Sequence, residues 1–196
     1  MKEDQEVYSS FQGSEADSIE LYEATSSSYD ELYREEQYGK YKYVESSGIT
    51  ISGTVVDVGC GTGLLLEYLL SRGALLEKYI CIEPSSEMIS RVFEKAVDYR
   101  VLAIRALAQA NPIRDGVASI TTLITVWDNI VSSDRLRALM ESLRVTKTGA
   151  PVVLSFIKHR FKEALAEVAG IAQSTGLRIE FIGCESHDCI IIALRN

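Results

Sequence analysis

The chain of 196 residues contains no apolar run near the ~20 residues that a membrane-spanning helix requires. Its first residues show no basic stretch followed by an apolar one, the pattern of a secretory leader. Histidine is scarce, with only two residues, and the four cysteines (Cys60, Cys81, Cys184, Cys189) form no C-x-x-C pair. A zinc site or a disulfide framework is therefore weakly supported, no metal is expected, and the cytoplasm is the expected compartment. Positive charge is in deficit, with 20 Lys and Arg against 28 Asp and Glu, a net charge of −8 and a sequence pI near 4.9. That balance disfavours the broad basic face of a protein that grips nucleic acid alone, while leaving room for a local patch. No internal repeat or second domain is visible. The remaining composition, 46% hydrophobic and 24% charged, is that of a soluble globular domain large enough for a real core.

Within that frame one stretch stands out, Val55-Val56-Asp57-Val58-Gly59-Cys60-Gly61-Thr62-Gly63, followed by the apolar segment Leu64 to Leu70. A β-branched run, a glycine turn and a helix form the first unit of a nucleotide-binding fold. Glycine serves where the backbone needs a positive φ, or where a ligand must approach the main chain with no Cβ in the way. A dinucleotide fingerprint, G-x-G-x-x-G/A, is disfavoured because Leu64 occupies the third position. The third glycine arrives early, at Gly63, and an acid, Asp57, stands two residues before the first.

D-V-G-C-G-T-G resembles the cofactor loop of the class I, Rossmann-like S-adenosylmethionine-dependent methyltransferases. The resemblance covers roughly Tyr29 to Asn196. It implies a three-layer αβα sandwich around a seven-stranded, mostly parallel sheet with an antiparallel last strand. It also implies S-adenosylmethionine as cofactor, with Asp57, Gly59, Cys60, Gly61 and Gly63 at its methionine end. Cys60 is there only as a small residue and has no expected catalytic part. Glu83, at the tip of the second strand and followed by Pro84, is the acid expected to accept both ribose hydroxyls. The family segment G-D-A-x-x-L-P-F, aligned on Pro112, places Leu107 where the adenine-binding acid is usual and Ala106 where the glycine is. That departure leaves Leu107 and Ala108 as an adenine wall short of one polar anchor, at a cost of ~1–3 kcal/mol in affinity.

In chain order, residues 1–27 read as a loosely held arm with a short helix around Ile19 to Ala24, and residues 28–196 as the methyltransferase domain. Ser28 is the expected N-cap of a helix carrying Tyr29, Leu32, Tyr33, Gln37, Lys40 and Tyr41. Its phrase Tyr29-Asp30-Glu31-Leu32-Tyr33 is similar to the leading helix that many members lay over the cofactor, which makes Tyr29 and Tyr33 candidate substrate contacts. Strands are expected over 53–58, 79–82, 100–108, 117–126, 151–157, 177–182 and 189–194. Pro84 and Ser85 start a helix with Met88, Ile89, Val92, Phe93 and Ala96 facing inward. Asp134 is the expected N-cap of another that buries Leu136, Leu139, Met140 and Leu143, and Gly176 caps the last helix.

Trp127-Asp128-Asn129 follows the fourth strand, whose carboxyl end meets ligands in open α/β sheets. Trp127 is accordingly expected at the cofactor, Asp128 as the residue that orients the nucleophile or takes its proton, and Asn129 at the acceptor. No N-P-P-Y or D-P-P-Y run is present, the form that resembles enzymes methylating exocyclic amines. Lys158-His159-Arg160 with Lys162 is the one tight basic cluster. Its Lys158 and Arg160 are candidates for an anionic substrate. A small-molecule methyl acceptor is favoured. The alternatives are a partner-activated RNA or translation-protein methyltransferase and a non-catalytic methyltransferase-like subunit. Val101-Leu102-Ala103-Ile104, apolar on both faces at a sheet edge, would suit a homodimer or a small activator subunit.

Overall fold

The computed structural model describes residues 15–96, 100–175, 177–185 and 188–195. A first helix, α1 (Glu15–Ser46), precedes β1 (Gly53–Val58), α2 (Leu64–Ser71), β2 (Leu76–Glu83), α3 (Ser86–Lys95) and β3 (Val101–Arg105). Then come β4 (Ile120–Leu123), α4 (Ser132–Val145), β5 (Pro151–Ile157), α5 (Phe161–Thr175), β6 (Arg178–Cys184) and β7 (Asp188–Leu194). Short 310 turns at Ala108–Ala110, Trp127–Asn129 and Lys158–Arg160 follow β3, β4 and β5. The seven strands lie in the order β3-β2-β1-β4-β5-β7-β6. The first five run parallel, and β7 enters antiparallel between β5 and β6. This is the class I methyltransferase sheet.

Period-two alternation sorts the central strands onto two faces. Val56, Val58, Ile80, Ile82, Leu154 and Phe156 join one core with Leu139 and Leu143 of α4 and Val168 of α5. Val55, Tyr79, Cys81, Val153, Ile190 and Ile192 join the other, beneath Tyr41 and Val44 of α1 and Leu65, Leu66 and Leu69 of α2. Strands buried on both faces must be apolar throughout, which is why β1, β2, β5 and β7 read as near-continuous hydrophobic runs.

Several local expectations are corrected. Ser28 is not an N-cap: α1 is one 32-residue helix, and the Ser28 hydroxyl donates back to the Thr25 carbonyl within it. The boundary at 27/28 therefore falls mid-helix, because Tyr22 and Tyr29 pack edge-to-face at 6.1 Å and carry one helical face across it. Residues 1–14 of the expected arm lie outside the described residues, as does the Gly176 cap. Phe93 is 55% exposed, with Met88 and Val92 forming the inner row of α3. Helix α3 covers β3, an edge strand, and has no further sheet to bury a second row against. Leu136 and Met140 also face outward, while Ala138, Leu139, Ser142 and Leu143 turn inward. Asp134 sits in the first turn of α4, whose N-cap is Val131.

The cysteines pair as Cys60–Cys81 and Cys184–Cys189, although their spacing gave a disulfide reading only weak support. Strand register explains both. Parallel pairing sets Asp57 beside Cys81 and so brings the glycine-loop Cys60 within 5.4 Å of it, Cα to Cα. The β6–β7 hairpin places Cys184 opposite Cys189.

Burial sets the expected outcome of two truncations. Leu66→Ala, at a fully buried site, lowers the unfolding free energy by about 2–5 kcal/mol in urea titration, whereas Phe93→Ser changes it by less than about 0.5 kcal/mol.

Candidate cofactor and acceptor site

The site is built where β1, β2, β3 and β4 end. The three loop glycines have distinct physical reasons. All have positive φ, at 68° for Gly59, 54° for Gly61 and 80° for Gly63. A Cβ on Gly59 would lie 2.4 Å from Val126 Cγ2, so the end of β4 excludes any side chain there. Gly63 is the left-handed N-cap of α2 and faces Val92 at 3.4 Å, a helix-packing position away from the cavity. At Gly61 nothing lies within 4 Å of a Cβ, and the loop opens there to whatever fills the cavity.

Glu83 holds this loop from below. One carboxylate oxygen accepts the Gly61 N–H at 3.0 Å and the other the Ser85 N–H at 3.0 Å. Burial raises its pKa to about 7, against the lowering pull of those two N–H donors. Asp57 is equally enclosed, accepting from the Thr122 hydroxyl at 2.6 Å and from the Tyr79 hydroxyl. Burial lifts its pKa to about 6.

Above the loop lies a cavity open to solvent on one side. Glu83, Pro84, Met88, Leu107, Ala108 and Gln109 line one end, and Ile124 to Val126, Asn129 and Ile130 the other. Ile19, Tyr22 and Tyr29 of α1 complete the lining. A second, smaller compartment shares Tyr29, Gly59, Gly61 and Ile124 with the first and adds Gln37, Tyr41, Asp57, Cys60, Thr62 and Leu64.

Helix α1 is tied to this floor by several polar contacts. Near the glycine loop, the Thr62 hydroxyl donates to Asp30, and Lys95 Nζ reaches Asp30 at 2.5 Å and the Thr62 carbonyl at 2.8 Å. Further along, buried Lys40 pairs with Asp188 at 2.7 Å and Glu36 at 2.8 Å and donates to Thr125 Oγ1 at 3.0 Å. Thr125 has φ 62°, a region that β-branched residues avoid. It is held there by its N–H on Ser155 Oγ at 2.7 Å and by Gln37 Nε2 on its hydroxyl at 3.2 Å. Such strain persists only where surrounding contacts over-determine it, and it clusters at ligand sites.

The structure brings Tyr29, Asp57, Gly59, Cys60, Gly61, Glu83, Pro84, Leu107, Ala108 and Asn129 around the two compartments. Others lie elsewhere. Trp127 is fully buried in the core beneath α4 and α5, its indole N–H on Glu167 at 3.1 Å and its ring edge-on to Phe156 at 5.7 Å. Asp128 accepts the Ile157 N–H at 3.3 Å and pairs with Arg160 at 3.3 Å, outside the cavity lining. The 310 turn after β4 accounts for both, because it swings consecutive side chains to different sides and leaves only Asn129 facing the cavity. Lys158 donates to the Glu185 carbonyl at 3.2 Å, and Tyr33 packs on Tyr29 at 4.8 Å from behind. Tyr22, Gln37, Gln109 and Thr125 are lining residues that sequence reasoning missed. Gln109 was readable, two residues beyond the missing acid; Tyr22 had no signal, lying in a segment read as an arm.

S-adenosylmethionine fits this arrangement on three observations: open space above Gly61, a buried acid at the β2 tip, and an apolar wall at Pro84, Met88 and Leu107. A family model described as "Methyltransferase domain" matches residues 56–154, half of the chain. The ubiquinone biosynthesis O-methyltransferase of Pseudomonas paraeruginosa is 30% identical over 123 residues, 60% of this chain and 50% of that protein. The chain thus spans about half the length of this curated relative. A SAM-dependent methyltransferase from Aquifex aeolicus superposes with a TM-score of 0.73 at 22% identity, covering 89% of this chain and 98% of that one. A methyltransferase solved in complex with the Trm112 activator of Haloferax volcanii gives 0.75 at 13% identity, covering 89% and 97%. The chain belongs to the methyltransferase-domain family, and its sheet is that of the class I S-adenosylmethionine-dependent enzymes.

Two outcomes follow from this geometry. Gly61→Arg weakens S-adenosylhomocysteine binding at least about a hundredfold by calorimetry, since left-handed strain of ~1–2 kcal/mol adds to the filled space. The second concerns pH. Glu83 and Asp57 have folded pKa values of about 7 and about 6, above their ordinary 4.5 and 3.8, so the folded state holds protons that the unfolded chain releases. Ligand-free stability, read as the urea midpoint, therefore falls as pH rises from about 5 to about 8, and Glu83→Gln flattens that slope.

Proposed function

We propose that this chain transfers the methyl group of S-adenosylmethionine to a small molecule with an apolar body and one polar nucleophilic end. The cofactor, when bound, supplies an electrophilic methyl carbon on a sulfonium, so the protein's work is alignment and exclusion of water. In this reading Glu83 accepts the ribose hydroxyls. Asp57, Gln37, Tyr41 and Thr62 supply polar groups around the methionine end, and the open backbone at Gly61 lets the ligand approach.

The observation that carries the small-molecule reading is the acceptor end itself. Tyr22, Tyr29 and Ile19 from α1 meet Ile124, Val126 and Ile130 there, an apolar enclosure with Thr125 and Asn129 as its polar points. Asn129 Nδ2 donates to the Tyr22 hydroxyl at 2.9 Å and to the Thr125 carbonyl at 3.2 Å. A carbonyl cannot donate, so this fixes the amide's orientation and leaves Oδ1 to accept a hydrogen from the nucleophile. In this reading Asn129 orients the acceptor, while Asp128 braces the turn against β5 through Ile157 and Arg160.

A second reading has its own observation. At the sheet edge Leu102 of β3 is 45% exposed and Phe93 of the neighbouring α3 is 55% exposed. Such an edge accommodates an added strand from a small activator subunit, as would suit the likeness to the Haloferax volcanii protein. RNA or a translation protein is then the acceptor.

Methyl-tritiated S-adenosylmethionine incubated with the purified chain and fractionated cell extract separates the two. Label is expected in the low-molecular-mass fraction with the chain alone. Label confined to RNA or protein, and appearing only with an added activator subunit, would favour the second reading.

A further inference from the structure

The missing adenine acid leaves a vacancy in the chemistry of the β3 end, and the structure shows what stands beside it. Of the lining residues contributed by the ends of β2 and β3, Ile82, Glu83, Pro84, Leu107, Ala108 and Gln109, only Glu83 and Gln109 carry polar side chains. Glu83 lies at the β2 tip, bound to the Gly61 and Ser85 N–H groups. Gln109, 6% exposed, lines the same cavity from the 310 turn that carries Leu107 as its N-cap. From this we infer that Gln109 recognises the edge of the adenine ring, taking over a role that Leu107 cannot fill. The inference rests on the S-adenosylmethionine reading above and names the base-reading residue of that same site.

An amide does this differently from an acid. A carboxylate only accepts, so it holds the 6-amino group and nothing else on that edge. A glutamine offers an oxygen acceptor and an NH2 donor side by side, and pairs with the 6-amino group and an adjacent ring nitrogen together, as Gln does with adenine elsewhere. It is also uncharged, which matters beside Glu83, whose buried carboxyl would be opposed by a second acid nearby.

The segment carrying Gln109 is held from both sides. The Ala106 N–H donates to the Glu83 carbonyl at 3.2 Å, tying its entry to the β2 tip, and the Ala110 N–H closes the turn on the Leu107 carbonyl at 3.0 Å. Beyond it the Arg144 guanidinium binds the carbonyls of Asn111 at 2.9 Å and Ile113 at 2.7 Å, and the Asn111 side chain accepts the Ile113 N–H at 3.1 Å. A side chain on a segment pinned in this way is pre-positioned, so little ordering is left to be done on binding.

The test is a double-mutant cycle on binding, with S-adenosylhomocysteine and its purine analogue lacking the 6-amino group titrated calorimetrically into the full chain. The wild-type chain is expected to bind the analogue about tenfold more weakly. Gln109→Met, near in shape and without hydrogen-bonding groups, is expected to weaken S-adenosylhomocysteine by about tenfold or more, and to lose less than about threefold further when the amino group is removed. Gln109→Glu, which still accepts from that group, keeps the amino dependence. Thermal melts of the ligand-free variants report any folding defect separately. An unchanged tenfold amino dependence in Gln109→Met would overturn the inference, because a merely structural glutamine gives additive losses. If the wild-type chain does not bind S-adenosylhomocysteine, the cofactor reading itself fails, and this inference with it.

Discussion

The carboxylate of Glu83 is the contact on which the rest of the site depends. It joins the tip of β2 to the glycine loop of β1 through the Gly61 N–H, and to the start of α3 through the Ser85 N–H. A turn rich in positive-φ glycines has a large conformational entropy to lose, and a buried acceptor for its Gly61 N–H helps select one conformation. The same burial that makes those hydrogen bonds strong also disfavours the charge, which is why the Glu83 pKa rises to about 7. Loop order and proton affinity thus arise from one placement. Asp57, one strand over, repeats the arrangement through Tyr79 and Thr122.

Helix α1 depends on this floor in turn. Its mean hydropathy is low for an element that covers a core, and the ties to Thr62 and Lys95 at one place and Thr125 at the other give it register. Paired buried charges such as Lys40 and Asp188 add little net stability once desolvation is counted, but they are intolerant of misplacement. Their effect is to specify where the aromatic face of α1 sits over the cavity, and hence the shape of the cavity beneath it. The strained Thr125 is clamped by the same cluster, so the tip of β4 and the covering helix are positioned together.

How much was legible in the sequence differs by level. Strands β1 and β5 could be read to the residue, because β-branched apolar runs bounded by glycine or proline have few other solutions. The cofactor loop and Glu83 were legible because a backbone-contacting turn constrains residue identity at fixed spacing. The length of α1 was not. A helix of polar and aromatic residues has weak apolar periodicity, and Ser28 inside it has the chemistry of a cap without the position of one. The outward turn of Phe93 was equally hidden, since periodicity names a face but not whether a sheet extends beneath it.

At the site the division is sharper. By itself the sequence determined the order of strands and helices, the glycine loop, the acid at the β2 tip and the absence of an acid at Leu107, all of which are local in the chain. Only the tertiary structure decided which side chains of Trp127-Asp128-Asn129 meet the cavity, that Gln109 lines it beside Leu107 and Ala108, and that Cys60 lies against Cys81. Those outcomes depend on the hand of a 310 turn and on the register of parallel strands, where neighbours in space are some twenty or more residues apart in sequence. A pattern of residue types records what each segment buries, and the direction in which a turn sends one side chain is set by what packs against it.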